Sequence, residues 1–283
     1  MIIKVGLAQI NPTLGDVGRN LDIFEDYLGR AQKEKVDLLV FPELGLTGYF
    51  LRDTVPDVAL REGSPILERL QAMSREMDII TGFVEESKDH LFYNAGIYLE
   101  RGQVRHIHRK VYLPTYGMFD EQRYFAQGRK IRVFDTRFGR LGLLICEDLW
   151  HLSTAYVAFQ DGADFLVNLG SSPSRGLKGE GKLTIADIWE TLNKAYAGLF
   201  SQFVLFANRV GYEDGVNFWG GSEILDPEGR RVVKGPYFDE TLVIGEIDTG
   251  DLRRTRIATT LLRDEDLDLT IKELLRIQQQ RFS

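Results

Sequence analysis

The sequence predicts a mixed α/β fold in which two β-sheets are covered by outer helices. Short apolar runs typical of buried strands alternate with amphipathic, helix-like segments along the whole chain. Several strand-like runs follow one another with few residues between them, which indicates neighbouring antiparallel strands. No Ser/Gly-rich linker, internal repeat or low-complexity segment interrupts the sequence, so we expect residues 1–283 to form a single domain.

The first half of the chain contains the runs that favour one of these sheets. Its strand-like segments are 2–10, 36–43, 78–86, 94–100 and 103–110. Apolar residues at helical spacing predict helices over 20–34 and 64–77. Ser64 and Pro65 mark the start of the second helix, because serine caps helix N-termini and proline is favoured at the first helical position.

The second half repeats this alternation. Its strand-like segments are 130–136, 140–147, 163–170, 202–210, the two sides of a turn at 226–229, and 241–248. Helices are expected over 153–162 and 182–200. The charged segment 251–283 is predicted to be a mostly helical tail, packed either on its own domain or across a partner subunit.

Composition restricts the classes of function. The net charge of −7 argues against nucleic acid or an anionic membrane as the main partner. The basic cluster at 105–110 is too short to form an electrostatic footprint. No apolar run approaches the roughly 20 residues that span a bilayer. The N-terminus also lacks the apolar region and cleavage site of a signal peptide.

Cys146 is the single cysteine of the chain. One cysteine cannot form an internal disulfide, so we expect a reducing, cytoplasmic location. A single thiol also argues against thiolate-rich metal sites. No ligand spacing typical of a metal site appears among the histidines, which are His90, His106, His108 and His151. We therefore expect no metal site.

Three polar residues each follow a strand-like run, namely Glu43, Lys110 and Cys146. Ligands gather outside the carboxyl ends of strands in α/β sheets, so these three could share one cleft. The acids Glu147 and Asp148 follow the cysteine and would raise its pKa. Lys110 could offset them and keep a fraction of thiolate, while Glu43 takes the thiol proton. Each residue alone also has an ordinary structural reading, as a buried thiol, a solvated charge or a turn cap.

The sequence around these residues resembles the nitrilase superfamily of carbon–nitrogen hydrolases. The matching contexts, in the order of the family, are FPELGLTGY, HRKVYLPTYGMFDEQRYFAQG and GLLICEDLW. Within the superfamily, INPTLGD, YGMFDEQRYF and ICEDLW are most similar to the glutaminase domain of glutamine-dependent NAD synthetase. The resemblance implies a four-layer α-β-β-α sandwich and a homodimer or higher homo-oligomer.

The resemblance also implies a chemistry. Cys146 would attack a small primary amide while Glu43 accepts its proton and passes it to the leaving ammonia, and water would then release the acid from a thioester. Hydrolysis split in this way requires no metal or organic cofactor, so the resemblance implies none. Lys110 and the backbone N–H of Glu147 are the implied oxyanion donors. Glu121 is the implied acid that orients Lys110. The chain contains no P-loop or adenylate-binding motif, so the resemblance does not imply NAD synthesis by this chain.

Residues of the substrate pocket are predicted from the loops that should border the cleft. Tyr49, Tyr116 and Phe119 lie in these loops, although loop aromatics often serve only for packing. The segment SSPSRG falls where the glutaminase relatives hold the α-carboxylate of glutamine, which makes Ser172 and Arg175 candidates. Its spacing is one residue shorter than expected, so glutamine stays open as a substrate.

Several functions remain open from the sequence. The leading hypothesis is a hydrolase that frees ammonia from a small primary amide. An alternative is a glutaminase subunit that passes ammonia to a separate synthetase chain. Nitrile hydrolysis is less favoured, because CEDLW is more similar to the amidase branches. A catalytically silent binding protein is the alternative outside enzymes, and the presence of all three site residues argues against it.

Overall fold

The computed structural model describes residues 1–175 and 183–281 and has the predicted four-layer α-β-β-α architecture. The first sheet consists of β1 (Ile2–Gln9), β2 (Leu38–Val40), β3 (Asp78–Glu86), β4 (Phe92–Glu100), β5 (Gln103–Arg109) and, from late in the chain, β14 (Thr241–Asp248). The second sheet consists of β6 (Val133–Thr136), β7 (Gly139–Ile145), β8 (Phe165–Gly170), β9 (Phe203–Asn208), β12 (Glu223–Leu225) and β13 (Arg231–Lys234). A hairpin joins β10 (Val210–Glu213) to β11 (Val216–Trp219).

The two sheets have the same internal plan. In the first, β1, β2 and β3 are parallel, β14 lies antiparallel to β1, and β4 and β5 continue antiparallel from β3. In the second, β7, β8 and β9 are parallel, β6 lies antiparallel to β7, and β12 and β13 continue antiparallel from β9. The antiparallel arrangement predicted for the runs at 78–110 is thus present as β3, β4 and β5.

The main core lies between the sheets. Because side chains alternate between the two faces of a strand, Leu38 and Val40 point into this core while Leu39 between them packs under the outer helices. The inner face of the second sheet contributes residues such as Val167 and Leu205 to the same core. Burial on both faces explains why the central strands are almost uninterrupted apolar runs.

Helices cover the outer face of each sheet. The helices are α1 (Val17–Lys33), α2 (Val55–Val58), α3 (Pro65–Met73), α4 (Glu121–Tyr124), α5 (Leu152–Gln160), α6 (Thr184–Phe200), α7 (Gly250–Ala258), α8 (Leu261–Asp264) and α9 (Leu267–Arg281). Side chains of α1 and α3 pack on the first sheet, and those of α5 and α6 pack on the second. As predicted, Ser64 caps α3, its hydroxyl accepting the N–H of Leu67 at 3.3 Å. Position 182, where the helix over 182–200 was predicted to begin, lies outside the described residues.

The predicted helical tail consists of α7, α8 and α9. Arg256 of α7 ties it to the turn before β8 through Asp164 and the carbonyl of Ala163, each at 2.7 Å. In contrast, α9 has no buried residue, and its leucines and isoleucines are exposed. Residues 282–283 of the predicted tail lie outside the described residues. In the part of the chain that the structure describes, no helix is both long and apolar enough to cross a membrane.

Candidate active site

Glu43 lies in a turn just beyond β2 and is completely buried. The strand ends at Val40, earlier than predicted, because the chain then turns across β3. Gly82 of β3 permits this close approach, since a Cβ there would lie 2.7 Å from the Cα of Glu43. The Oε1 atom of Glu43 accepts hydrogen bonds from Asn94 Nδ2 at 2.8 Å and Lys110 Nζ at 2.7 Å.

Lys110 follows β5 directly and is also buried. Gly128 packs against it, donating its N–H to the carbonyl of Lys110 at 2.8 Å, where a Cβ would collide with the same backbone. The ammonium group lies between two carboxylates, 2.7 Å from Oε1 of Glu43 and 2.7 Å from Oε1 of Glu121. Burial opposes its charge, but the two carboxylates outweigh burial and raise the pKa of Lys110 well above its ordinary value. The side chain is therefore an ammonium at neutral pH.

Glu121, the first residue of α4, completes this cluster. Its Oε1 also accepts the hydroxyl of Tyr49 at 2.5 Å. Burial raises the pKa of Glu121 to about 7, although Lys110 acts in the opposite direction. Within the described residues, the Oε2 atoms of Glu43 and Glu121 are buried and have no hydrogen-bond partner. We call Glu43, Lys110, Glu121 and Tyr49 the Lys110 cluster.

Cys146 begins a 3₁₀ turn immediately after β7. Its backbone has a φ of +45°, a left-handed conformation that is unfavourable for a residue with a side chain and is frequent at functional sites. Burial and the charge of Glu43 raise the pKa of the thiol, while Lys110 and a hydrogen bond from the backbone of Ser171 lower it. The net effect places the pKa of Cys146 well above its ordinary value, so the resting group is a thiol. The expectation that Lys110 maintains a thiolate fraction is therefore wrong, because burial and Glu43 together outweigh the ammonium.

Asp148 holds two parts of the site together, a role that sequence reasoning missed. Its Oδ1 accepts the backbone N–H groups of Val111 and Tyr112, each at 2.9 Å. Its Oδ2 accepts the N–H of Ile145 at 3.1 Å and lies 2.8 Å from Nε2 of the buried His108. We call Asp148, His108 and these three backbone groups the Asp148 clamp. It ties the loop after β5 to the end of β7, and so fixes the lysine relative to the cysteine.

Four of the predicted pocket residues share one wall. The hydroxyl of Tyr116 donates to Oε2 of Glu147 at 2.9 Å, and the rings of Tyr116 and Phe119 meet edge to face. The guanidinium of Arg175 lies 4.7 Å from the centre of the Phe119 ring. Among the described residues, its Nη2 atom is buried without a hydrogen-bond partner. This wall thus combines a carboxylate, a cation and aromatic surface.

The other two predicted pocket residues have different contacts. Tyr49 is buried and its hydroxyl is bound to Glu121. The hydroxyl of Ser172 accepts Trp189 Nε1 of α6 at 2.9 Å. The neighbouring Ser171 reaches the Lys110 cluster instead, donating its hydroxyl to the carbonyl of Glu43 at 3.0 Å. In the described residues, no group of three or more His, Cys, Asp or Glu side chains is arranged to hold a metal ion.

Comparison with known proteins was made at the level of sequence and of fold. Residues 4–257 match the carbon–nitrogen hydrolase family. The chain is 32% identical over 260 residues to a glutamine-dependent NAD(+) synthetase of Thermotoga maritima, a match that covers 90% of this chain and 44% of the synthetase. It is 28% identical over 265 residues to a probable nitrilase of Schizosaccharomyces pombe, covering 90% and 92% of the two chains.

A solved carbon–nitrogen hydrolase from Helicobacter pylori G27 has the same fold, with a TM-score of 0.86 over 97% of this chain and 99% of that one, at 24% identity. The chain spans about half the length of the synthetases that it matches. The family match extends over most of the two sheets and includes Glu43, Lys110 and Cys146. On this evidence, the chain belongs to the carbon–nitrogen hydrolase family.

Proposed function

We propose that the protein hydrolyses a small primary amide to the acid and ammonia through a thioester at Cys146. One observation carries this proposal. The ammonium of Lys110 lies between Glu43 and Glu121, and the charges of Lys110 and Glu43 both act on the Cys146 thiol. A thiol, a buried base and a fixed cation are the groups that acyl transfer from an amide requires.

In the first half of the reaction, Cys146 attacks the amide carbon as its proton moves to Glu43. Because the resting group is a thiol, proton transfer accompanies the attack. The Oε2 atom of Glu43 has no partner among the described residues, which supports it as the acceptor of this proton. Negative charge develops on the amide oxygen, where Lys110 Nζ and the backbone N–H of Glu147 act as donors.

The leaving group then takes the proton from Glu43, the carbon–nitrogen bond breaks, and ammonia departs from the Cys146 thioester. In the second half, Glu43 removes a proton from water as the water oxygen attacks the thioester. The carbon–sulfur bond breaks, the acid forms, and the proton returns to the sulfur. Glu121 holds Lys110 in place throughout and transfers no proton.

The wall beside Cys146 supports a substrate with a charged acyl part. Arg175 has a buried, unpartnered nitrogen that suits a carboxylate, since guanidinium groups bind carboxylates in a bidentate manner. Glu147 could meet an ammonium group on the same molecule. We therefore propose an amide that carries an α-carboxylate, such as glutamine, with Arg175 rather than Ser172 as its anchor.

The test is ammonia release from a panel of amides with and without an α-carboxylate, using Cys146→Ala as the inactive control. Hydrolysis lost in this variant supports the thioester mechanism. Arg175→Leu should raise KM for carboxylate-bearing amides and leave uncharged amides unaffected. Equal effects on both kinds of amide would exclude the assignment of Arg175.

A second candidate is a glutaminase subunit that supplies ammonia to a separate synthetase. The similarity to glutamine-dependent NAD(+) synthetases over 44–50% of their length favours it. Such a subunit should be slow alone and accelerate when an ammonia-dependent NAD synthetase and its substrates are added. Unchanged rates would leave the free-standing hydrolase. A silent binding protein would hydrolyse no amide of the panel, either alone or with the synthetase present.

A further inference from the structure

A second buried ion pair lies behind the Lys110 cluster. Arg209 follows β9 and is fully buried, and its Nη1 lies 2.6 Å from Oε2 of Glu213 in β10. The guanidinium also stacks 4.2 Å above the ring of Phe218. Neither charged side chain has any role in the proposed reaction, and both lie in the second half of the chain.

The other oxygen of Glu213 reaches across to the first half of the chain. Its Oε1 accepts the backbone N–H of Tyr49 at 2.8 Å and that of Phe50 at 2.7 Å. Gly48 makes this approach possible, because it has a φ of +77° and a Cβ there would lie 2.7 Å from Oε2 of Glu213. One carboxylate therefore fixes the turn that follows Glu43.

Tyr49 carries this constraint into the active site. Its backbone is bound to Glu213, while its hydroxyl donates to Oε1 of Glu121 at 2.5 Å. The same Oε1 atom accepts the ammonium of Lys110. Hydrogen bonds thus connect Arg209 through Glu213 to the backbone of Tyr49, and the tyrosine hydroxyl through Glu121 to Lys110.

We propose that Arg209 and Glu213 are positioning residues, which hold the backbone of Tyr49 so that its hydroxyl keeps Glu121 against Lys110. Neither of them touches the substrate. This inference rests on the proposed function, and it assigns a role to two residues other than Cys146, Glu43 and Lys110. It also explains the burial of two charges, since a buried ion pair is often no more stabilising than apolar residues of the same volume.

The chain contains another buried glutamate bound to an arginine, and in the described structure this pair is not connected to the Lys110 cluster. Glu223 of β12 is fully buried and binds Arg231 at 2.8 Å and Asn193 at 2.9 Å. Arg231 lies on β13 and Asn193 on α6, and within the described residues neither is hydrogen-bonded to a member of the Lys110 cluster. Glu223→Gln therefore serves as the control for a loss of buried charge, and Glu213→Gln as the test.

The expected consequence is visible in the pH profile. The groups that face Glu121 are Lys110, Glu43, Tyr49 and Cys146. The hydrogen bond from Tyr49 lowers the pKa of Glu121, opposing burial, so a displaced Tyr49 leaves the pKa above its present value of about 7. A protonated Glu121 holds Lys110 less well, and the acid limb of kcat then moves to higher pH.

The experiment compares kcat, KM, thermal stability and pH profile in the full-length variants Glu213→Gln, Arg209→Lys, Tyr49→Phe and Glu223→Gln. We expect Glu213→Gln and Arg209→Lys to lower kcat about tenfold with KM within about twofold, as expected for displacement of a catalytic group without loss of substrate contacts. Their acid limbs should move to higher pH. Glu223→Gln should lower the melting temperature by a similar amount with kcat and pH profile unchanged.

The double variant Tyr49→Phe/Glu213→Gln decides whether Glu213 acts through Tyr49. Non-additivity, with the double variant no slower than the slower single variant, supports the proposal. Multiplied effects, or a folded Glu213→Gln protein with wild-type kcat and pH profile, would overturn it. Arg209→Lys retains the charge and gives the same test if Glu213→Gln does not fold.

Labelling of Cys146 by iodoacetamide tests the positioning role independently of amide hydrolysis. If no amide is hydrolysed by the wild type, the pH dependence of labelling still reports the charges around the thiol. A changed dependence in Glu213→Gln and Arg209→Lys, but not in Glu223→Gln, would then support the positioning role while amide hydrolysis fails. An unchanged dependence in all variants overturns the positioning role.

Discussion

The Lys110 cluster and the Asp148 clamp are neighbouring, buried and built around carboxylates, but they differ in how those carboxylates are bonded. Both oxygens of Asp148 are occupied, by three backbone N–H groups and His108. In Glu43 and Glu121, one oxygen takes two donors and the other, in the described structure, takes none. A satisfied carboxylate stabilises the fold, whereas a buried unsatisfied oxygen costs free energy and is available to a proton or substrate.

The largest effect is expected from Glu43→Gln, which tests the unsatisfied side of this comparison. Glutamine preserves an acceptor for Asn94 and Lys110 but cannot take a proton. We expect kcat to fall by about 10³-fold, within the range for loss of a general base, with little change in thermal stability. The measurement is ammonia release together with thermal unfolding. If the variant instead lost much of its stability and kept its activity per folded molecule, Glu43 would be a structural residue and not the general base.

Asp148→Asn should have the opposite balance. The asparagine amide nitrogen would replace one carboxylate oxygen of Asp148, so it would face a backbone N–H group or His108 without an acceptor between them. The negative charge of the carboxylate would also be lost. We expect a loss of about 3 kcal/mol in the free energy of unfolding, as for a disrupted buried ionic network. Denaturant unfolding gives this value. A stability equal to that of the wild type would show that the clamp is dispensable. Thr154→Ser serves as the control, because Thr154 donates its hydroxyl to the main-chain carbonyl of Asp148 and does not touch the carboxylate.

The raised pKa of Glu121 predicts that activity increases with pH while the contribution of this group to stability decreases. Burial raises its pKa from an ordinary value of 4.5 to about 7. Activity should rise through about pH 7 as its carboxylate forms and holds Lys110. Its contribution to stability is fully present below pH 4.5 and is lost as the pH rises through about 7, because the folded state binds this proton more tightly.

Glu121→Gln should remove both effects. Its melting temperature relative to the wild type should increase from pH 5 to pH 7, while its activity loses the acid limb near pH 7. Buffer-matched unfolding and rate profiles across this range provide the measurement. A parallel stability curve for the variant and the wild type would contradict the raised pKa.

The smallest change in the stability of the monomer is expected for a substitution in α9. Leu274 in α9 is 61% exposed, so Leu274→Lys should change the free energy of unfolding of the monomer by less than about 0.5 kcal/mol. We propose that this exposed face packs on a partner subunit. Light scattering should then show a smaller oligomer for the variant, and an identical mass would exclude α9 from subunit contacts.

The sequence predicts the parts of the site that depend on local pattern. Glu43, Lys110 and Cys146 end strand-like runs, and the strand ends are recognisable from the apolar residues before them. The thiolate expectation failed because it weighed Lys110 only against the neighbouring acids, Glu147 and Asp148. In the structure, burial and Glu43, more than 100 positions away, dominate the thiol.

The supporting contacts could not be predicted for the same reason. Asp148 looks like a second acid beside the cysteine, and its bonds to the loop after β5 arise only when the two sheets meet. Glu213 reaches Tyr49 across 164 positions, with no local pattern to indicate it. The run at 202–210 predicts one strand, but β9 ends at Asn208 and the chain then forms the β10–β11 hairpin that carries Glu213.

The pairing of β1 with β14 has a consequence for the order of synthesis. Ile2 faces Asp248 in this pair, so β1 gains this neighbour only after the other described strands of both sheets have been made. Until then, the sheet that carries Glu43 and Lys110 has an unpaired edge, which invites association with other chains. Contacts of such sequence separation also slow folding. A nascent chain therefore pairs β1 with β14 only after the segment with the cysteine has been made, and a product truncated before β14 would expose the β1 edge.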